Sequence, residues 1–220
     1  MSANSFSRRS ALSSAGLAVA APAAATAGPA GPMLARVIGT LTPGGRRALP
    51  FEGRLSMVSV TGHAMPAFGF RGVVETQFTG EGDKMLCHRR WSGTLTDLSG
   101  APLPGPVANP VTGQRLTVPA IDVETSFDMT GEGLALRVRD AGAFVVFDFT
   151  EPGPSMLTAS LRQSYTALRA HIDDPSRDAV TAHGAWRTTG PWPQWLAMGA
   201  APGRVEIEGR IGTTEELLQV

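Results

Sequence analysis

A chain of 220 residues, 42% hydrophobic and 17% charged, has room for one sizeable core or at most two small ones, and one domain is the simpler reading. Formal net charge is zero, and apart from Arg8 and Arg9 near the N-terminus the chain carries a slight acidic excess. That leaves no electrostatic footprint for nucleic acid or for an anionic membrane surface. The 26 glycines and 17 prolines separate short aliphatic runs, which indicates many turns and short strands rather than disorder.

Ser5 to Leu12 contains the adjacent Arg8 and Arg9, a mild apolar run follows to Ala21, and Ala25-Thr26-Ala27 precedes Gly28. Charged start, apolar centre and small-residue cleavage site come in the order of an export signal, and the paired arginines resemble the twin-arginine type. The expected leader is 1–27, which implies the twin-arginine export machinery as a transient partner and a periplasmic or secreted destination. The apolar run is too short to span a bilayer, so no stable membrane insertion is expected after cleavage. Cys87 is the single cysteine, which excludes an intramolecular disulfide.

Residues 28–32 read as a linker, 33–220 as one β domain, and Met33 to Thr40 as a first short strand. Pro43 to Arg47 is a turn, Leu55 to Val60 a strand, and Gly62 to Pro66 a break. Phe70 to Phe78 alternates as a strand, and Gly80 to Asp83 forms a hairpin-type loop. From Met85 to Asp97 one face carries Met85, Cys87, Arg89, Trp91 and Leu95, so Arg89 points inward with them. A buried arginine needs an acceptor or an anionic ligand. It either pairs with an inward carboxylate or reaches water from a strand end, or it serves as the polar anchor of a ligand site.

Asn109-Pro-Val-Thr-Gly113 is a tight turn before the short strand Arg115 to Val118. Ile121, Val123, Thr125, Phe127 and Met129 then share one face of a strand. Asp122, Glu124 and Asp128 on its other face read as solvated charges rather than a catalytic set. Short glycine turns link this strand to 134–139 and 143–149 as an antiparallel meander, ended by Pro152 and Pro154. Leu157 to Ile172 fits helix or strand, with strand chosen for its second half, and Ala179 to Thr188 is a further strand. Val205, Ile207, Gly209 and Ile211 alternate with charges, as in an edge or barrel-closing strand. The expected fold is all-β, an antiparallel β-barrel of calycin-like type with about nine or ten strands, a β-sandwich being second choice.

The segment between these last strands, Trp186 to Gly199, holds three of the four tryptophans. Pro191 and Pro193 exclude a regular strand between them, so a turn or one-turn helix is expected, acting as a plug over the core or as a ligand-facing lid. The candidate ligand-binding residues are therefore Arg89, Trp91, Trp186, Trp192 and Trp195.

No nucleophile elbow, phosphate loop, dinucleotide fingerprint or zinc-protease motif occurs. His63, His88, His171 and His183 show no metal-ligand spacing, so neither metal nor cofactor is expected. Cys87 reads as a small core residue.

The twin-arginine start, the Asn109-Pro-Val-Thr-Gly-Gln114 turn and, most specifically, Trp186 to Arg204 resemble domain-of-unknown-function family 1838. The similarity covers most of 85–212. Members usually carry a histidine and an asparagine shortly after that turn, where this chain has Pro119-Ala-Ile-Asp122. The family has no established activity, so the resemblance supports the domain and leaves function open.

Three functions fit. The first is a barrel that binds a small apolar or aromatic molecule in its interior. The second is a cofactor-free lyase, isomerase or cyclase in the same cavity, with His88, His171 or His183 as general base. The third is an interaction protein whose tryptophan patch meets a partner.

Overall fold

The computed structural model describes residues 30–80, 85–129, 134–151 and 160–212. The expected leader, the tip of the 80–83 loop, the 131–133 turn and Pro152 to Pro154 lie outside these residues. Nine strands form one antiparallel sheet that curls into a half-barrel, with a separate two-stranded ribbon. The sheet strands are β1 (Arg46–Val58), β2 (Ala64–Thr79), β3 (Leu86–Thr96), β6 (Ile121–Asp128), β7 (Arg137–Ala141), β8 (Phe144–Glu151), β9 (Leu161–Leu168), β10 (Ala182–Gly190) and β11 (Arg204–Ile211). The ribbon is β4 (Val107–Ala108) and β5 (Arg115–Leu116). In space the order runs β6, β3, β2, β1, β11, β10, β9, β8, β7.

Period-two alternation explains the curl. Cys87, Arg89 and Trp91 on β3, Phe147, Phe149 and Glu151 on β8, and Gln163, Tyr165 and Ala167 on β9 are all buried, while their neighbours face outward. A single sheet can cover that much apolar surface only by wrapping onto itself. Residues of β3 and β6 thus meet residues of β8 and β9 across the interior, with the rings of Phe127 and Phe149 at 6.5 Å.

One rung is built for tight curvature. Leu95, Phe70, Gly53, Gly209, Trp186, Gln163 and Phe149 stand side by side from β3 to β8. The ring of Phe70 lies over Gly53 and the indole of Trp186 over Gly209, where a Cβ would fall 2.3 Å and 2.8 Å from ring atoms. The two rings meet at 5.3 Å. Glycine at the centre of the rung leaves room for the largest side chains beside it.

Several expectations need correction. Residues 33–40 do not form a strand, and Ala30 to Pro32 are not linker: Ala30–Ile38 is helix α1. Leu34, Val37 and Ile38 recur at helical spacing and are fully buried, and Pro32 is tolerated because first-turn N–H groups have no intrahelical partner. Arg36 of α1 donates to the carbonyls of Ile172 at 2.7 Å and Arg177 at 2.9 Å. Arg47 Nη1 donates to Val37 O at 2.8 Å, placing a cation at the C-terminus of α1.

The first strand starts well before Leu55, at Arg46, and runs through Pro50. That proline is tolerated because the pairing of β1 with β11 ends at the neighbouring rung, Phe51 opposite Ile211. Pro66 likewise falls inside β2, at a register shift opposite Leu55 and Ser56. The three-strand meander is also corrected. β6 pairs with β3 over Leu86–Gly93, whereas β7 pairs with β8, so β6 and β7 occupy opposite edges of the sheet. β11 is no edge, since it joins β1 to β10. The described part of the ambiguous segment resolves into β9 followed by the short helix α2 (Arg169–Asp173). Among the described residues no helix is long and apolar enough to cross a membrane.

Candidate functional site in the half-barrel interior

The tryptophan segment leaves β10 at Gly190 and forms a single turn of 3-10 helix, Gln194–Leu196. Leu196 and Met198 are buried, while Trp192 and Trp195 are half-buried, so the segment caps the core with its aliphatic side chains and presents two indoles at its margin. Trp192 Nε1 donates to Ala201 O at 2.8 Å, which closes the loop on itself. Trp195 packs on Phe68 at 5.8 Å.

Asn109 holds this cap from the other side. It is 1% exposed, its Oδ1 accepts from the backbone N–H of Val111 at 2.8 Å, and its Nδ2 donates to Leu196 O. The expected tight turn is present, with Gly113 N–H donating to Asn109 O at 2.9 Å. The sequence reading took Asn109 only as a turn residue and missed that its side chain ties the turn to the cap.

Beneath the cap Trp91, Trp186 and Trp195 line a cleft of about 60 Å³, together with Phe51, Phe70 and Leu161 among other apolar residues. Trp91 meets Trp186 edge-on at 5.8 Å and Phe51 at 5.1 Å. A few water-sized groups fill such a space, which corresponds to one small ring rather than a drug-sized molecule. Trp91 and Trp186 are 3% and 6% exposed, and the Nε1 of each is buried without a hydrogen-bond partner.

Arg89 adjoins this cleft through Trp91, its guanidinium carbon lying 4.9 Å from the ring centroid. Its charge is matched within the protein. Nη1 donates to Glu151 Oε2 at 2.7 Å and to Gln163 Oε1 at 3.0 Å, and Nη2 donates to Tyr165 Oη at 3.2 Å. Tyr165 in turn donates to Gln163 Oε1 at 3.0 Å. Of the three roles expected for Arg89, pairing with an inward carboxylate is therefore filled.

Burial alone would lower the Arg89 pKa, but the Glu151 carboxylate, with Tyr165 and Cys87 adding, holds the guanidinium above its ordinary range. Burial raises the Glu151 carboxyl, against the pull of Arg89. Burial also pushes the Cys87 thiol far up, with Arg89 opposing and Glu151 adding. Cys87 thus has no nucleophilic thiolate at neutral pH, as a small core residue should. Glu151, Gln163 and Tyr165 escaped the sequence reading. The signal was there, since continuing Val145, Phe147, Phe149 by two residues points Glu151 inward.

The three candidate general bases are not brought together at the cleft. His88 lies on the outer side of β3, between Thr79 Oγ1 at 3.0 Å and Ser126 Oγ at 2.9 Å. His183 is exposed on β10, alternating with the buried Ala182 and Gly184. His171 sits in α2, where its carbonyl accepts from Arg36. Asp122 pairs with Arg90 at 3.1 Å on the outer surface. Among the described residues no group of three or more His, Cys, Asp or Glu is placed to hold a metal ion.

No protein-family model matches the chain, and no curated protein matches it.

Proposed function

We propose that this is an exported binding protein that holds a small apolar or aromatic molecule in the cleft between Trp91, Trp186 and Trp195. One observation carries the reading: two tryptophans whose indole N–H donors are buried without partners line a cleft that is otherwise apolar. A buried donor left unpaired costs about 1–3 kcal/mol, so the matching occupant pairs an aromatic or apolar body with at least one acceptor. Arg89 acts here as a positioning residue. It holds the face of Trp91 by a cation–π contact while Glu151, Gln163 and Tyr165 hold Arg89.

The leader of residues 1–27, with its paired arginines, supports the periplasmic or secreted destination. Membership in domain-of-unknown-function family 1838 belongs to the same proposal. Two of the three segments that carry the resemblance, the Asn109 turn and the tryptophan segment, meet through Asn109 Nδ2 and Leu196 O.

Native mass spectrometry tests the reading. Protein taken from the periplasm of its own host is compared with the same sample after denaturation. A small molecule present only in the native spectrum, and absent from Trp186→Ala prepared identically, is the expected result. A native spectrum of bare protein, together with no quenching of tryptophan fluorescence by a panel of small aromatic ketones and phenols, overturns it.

A further inference from the structure

Besides the interior cleft, the described residues form a trough of about 1500 Å³ whose side chains are largely those of the outer, polar face of the sheet. Five consecutive strands each contribute one exposed arginine to it: Arg71 from β2, Arg54 from β1, Arg210 from β11, Arg187 from β10 and Arg162 from β9. The register staggers these cations into a zigzag ladder over two rungs, Arg71 and Arg210 on one and Arg54, Arg187 and Arg162 on the next.

The acids in the trough do not cancel this ladder evenly. Asp97 is occupied within its own loop, accepting from Ser99 N–H at 2.8 Å and Ala101 N–H at 2.9 Å. Asp148 pairs with Arg139 at 2.9 Å. Glu52 stands between Arg71 and Arg210, and Glu208 between Arg54 and Arg187. Arg162 and Arg187, by contrast, are direct cross-strand partners, and the next residue beyond Arg162 on β8 is Thr150. Neither arginine has an ion-pair partner among the described residues. Like charges directly opposite destabilise a sheet, and an oxyanion between the two guanidinium groups removes that cost.

We propose that this trough binds an acidic polysaccharide, with Arg162 and Arg187 clamping one carboxylate and Arg54, Arg71 and Arg210, each opposite a glutamate, lying along the rest of the sugar chain. Glu52 and Glu208, together with the side chains of Ser164 and Thr150, supply hydrogen-bond partners for sugar hydroxyls. The same features disfavour nucleic acid. Phe70, Phe149 and Trp186 turn their rings into the core instead of offering bases a stacking platform. This site is separate from the interior cleft.

The test measures binding of a labelled oligogalacturonate hexasaccharide by fluorescence anisotropy at about 0.15 M salt. Maltohexaose and a short single-stranded oligonucleotide compete. The variants are R162Q/R187Q and, as a single change of the same kind at an exposed arginine outside the trough, R115Q, each first shown to melt cooperatively. The expected result is binding that weakens by about tenfold or more in R162Q/R187Q, stays unchanged in R115Q and resists maltohexaose. No binding, equal loss in R115Q, efficient competition by maltohexaose, or tighter binding of the oligonucleotide each overturns the proposal. Neither Arg162 nor Arg187 lines the interior cleft, so R162Q/R187Q leaves the molecule retained there in place and the two sites fail independently.

Discussion

Arg89 Nη1 and Glu151 Oε2 meet at 2.7 Å across the interior of the half-barrel, one from β3 and the other from β8, both 1% exposed. The pair joins two parts of the sheet that lie six places apart in strand order. It also fixes the Trp91 ring on which Arg89 rests.

Removing one partner should therefore be far worse than removing both. Glu151→Leu leaves a guanidinium that cannot shed its proton, and is expected to cost about 3–5 kcal/mol. Arg89→Met combined with Glu151→Leu should return stability to within about 1 kcal/mol of the parent, because neither desolvated charge remains. Urea denaturation midpoints of the two singles and the double decide it. A double variant as unstable as the worse single would show that the surrounding Gln163 and Tyr165 depend on the pair.

The tryptophans should separate by position. Trp186 fills the space over Gly209 and contacts Phe70 and Trp91, so Trp186→Ala is expected to cost about 3–5 kcal/mol. Trp195 is half-buried at the margin of the cap, so Trp195→Ala should cost roughly half as much. Equal losses in chemical denaturation would mean that the cap is as much part of the core as the rung beneath it.

Gly209→Ala tests the curvature of that rung. A Cβ there would lie 2.4 Å from Glu52 O and 2.8 Å from Trp186 Nε1. The indole or the backbone must shift, at a cost of about 1–3 kcal/mol. A red-shifted tryptophan emission should accompany the loss if the indole moves toward water. Unchanged stability and emission would sink the argument that glycine sets the packing here.

Much of this architecture was legible because period-two alternation is a strong signal wherever one face is buried. β3, β6 and β11 were readable from that alone, down to Arg89 pointing inward. Two kinds of information were not local. Pro50 and Pro66 look like strand breakers until the register shows a pairing boundary and a bulge to receive them. Likewise, nothing within 121–149 reveals that β6 and β7 belong to opposite sheet edges, since chain neighbours were assumed to be sheet neighbours. In α1, Leu34, Val37 and Ile38 carried a helical period that the proline and glycine around them obscured. At the site, Trp91 lies under Arg89 and meets Trp186 at 5.8 Å. The identity of the Arg89 counter-charge depended on following β8 past Phe149 to the residue just before Pro152.

Cys87 offers a chemical check on burial. It is 0% exposed, and its thiol is held far above the ordinary range. Native protein should resist iodoacetamide at neutral pH and become fully alkylated only in denaturant, read by intact mass. Rapid native labelling would mean that the β3 interior opens on the timescale of the reaction.

Acid should unfold the protein through its loops before its core. Asp97 is held below the usual carboxylate range by Ser99 and the Ala101 N–H, and Asp174 by the hydroxyl and N–H of Ser176. Asp140 is lowered by the Gly142 N–H and Arg169. Groups with depressed folded pKa values contribute stability that is complete above about pH 4, the unfolded value, and is lost as pH falls through the folded ones. Glu151 has the opposite sign. Its raised pKa gives a contribution present in acid and lost as pH rises through the folded value, so protonating it does not drive acid unfolding. The melting temperature should accordingly decline below about pH 4, and Asp97→Asn with Asp174→Asn should flatten that decline. An acid limb unchanged in this double variant would place the titrating groups elsewhere and remove the loop aspartates from the account.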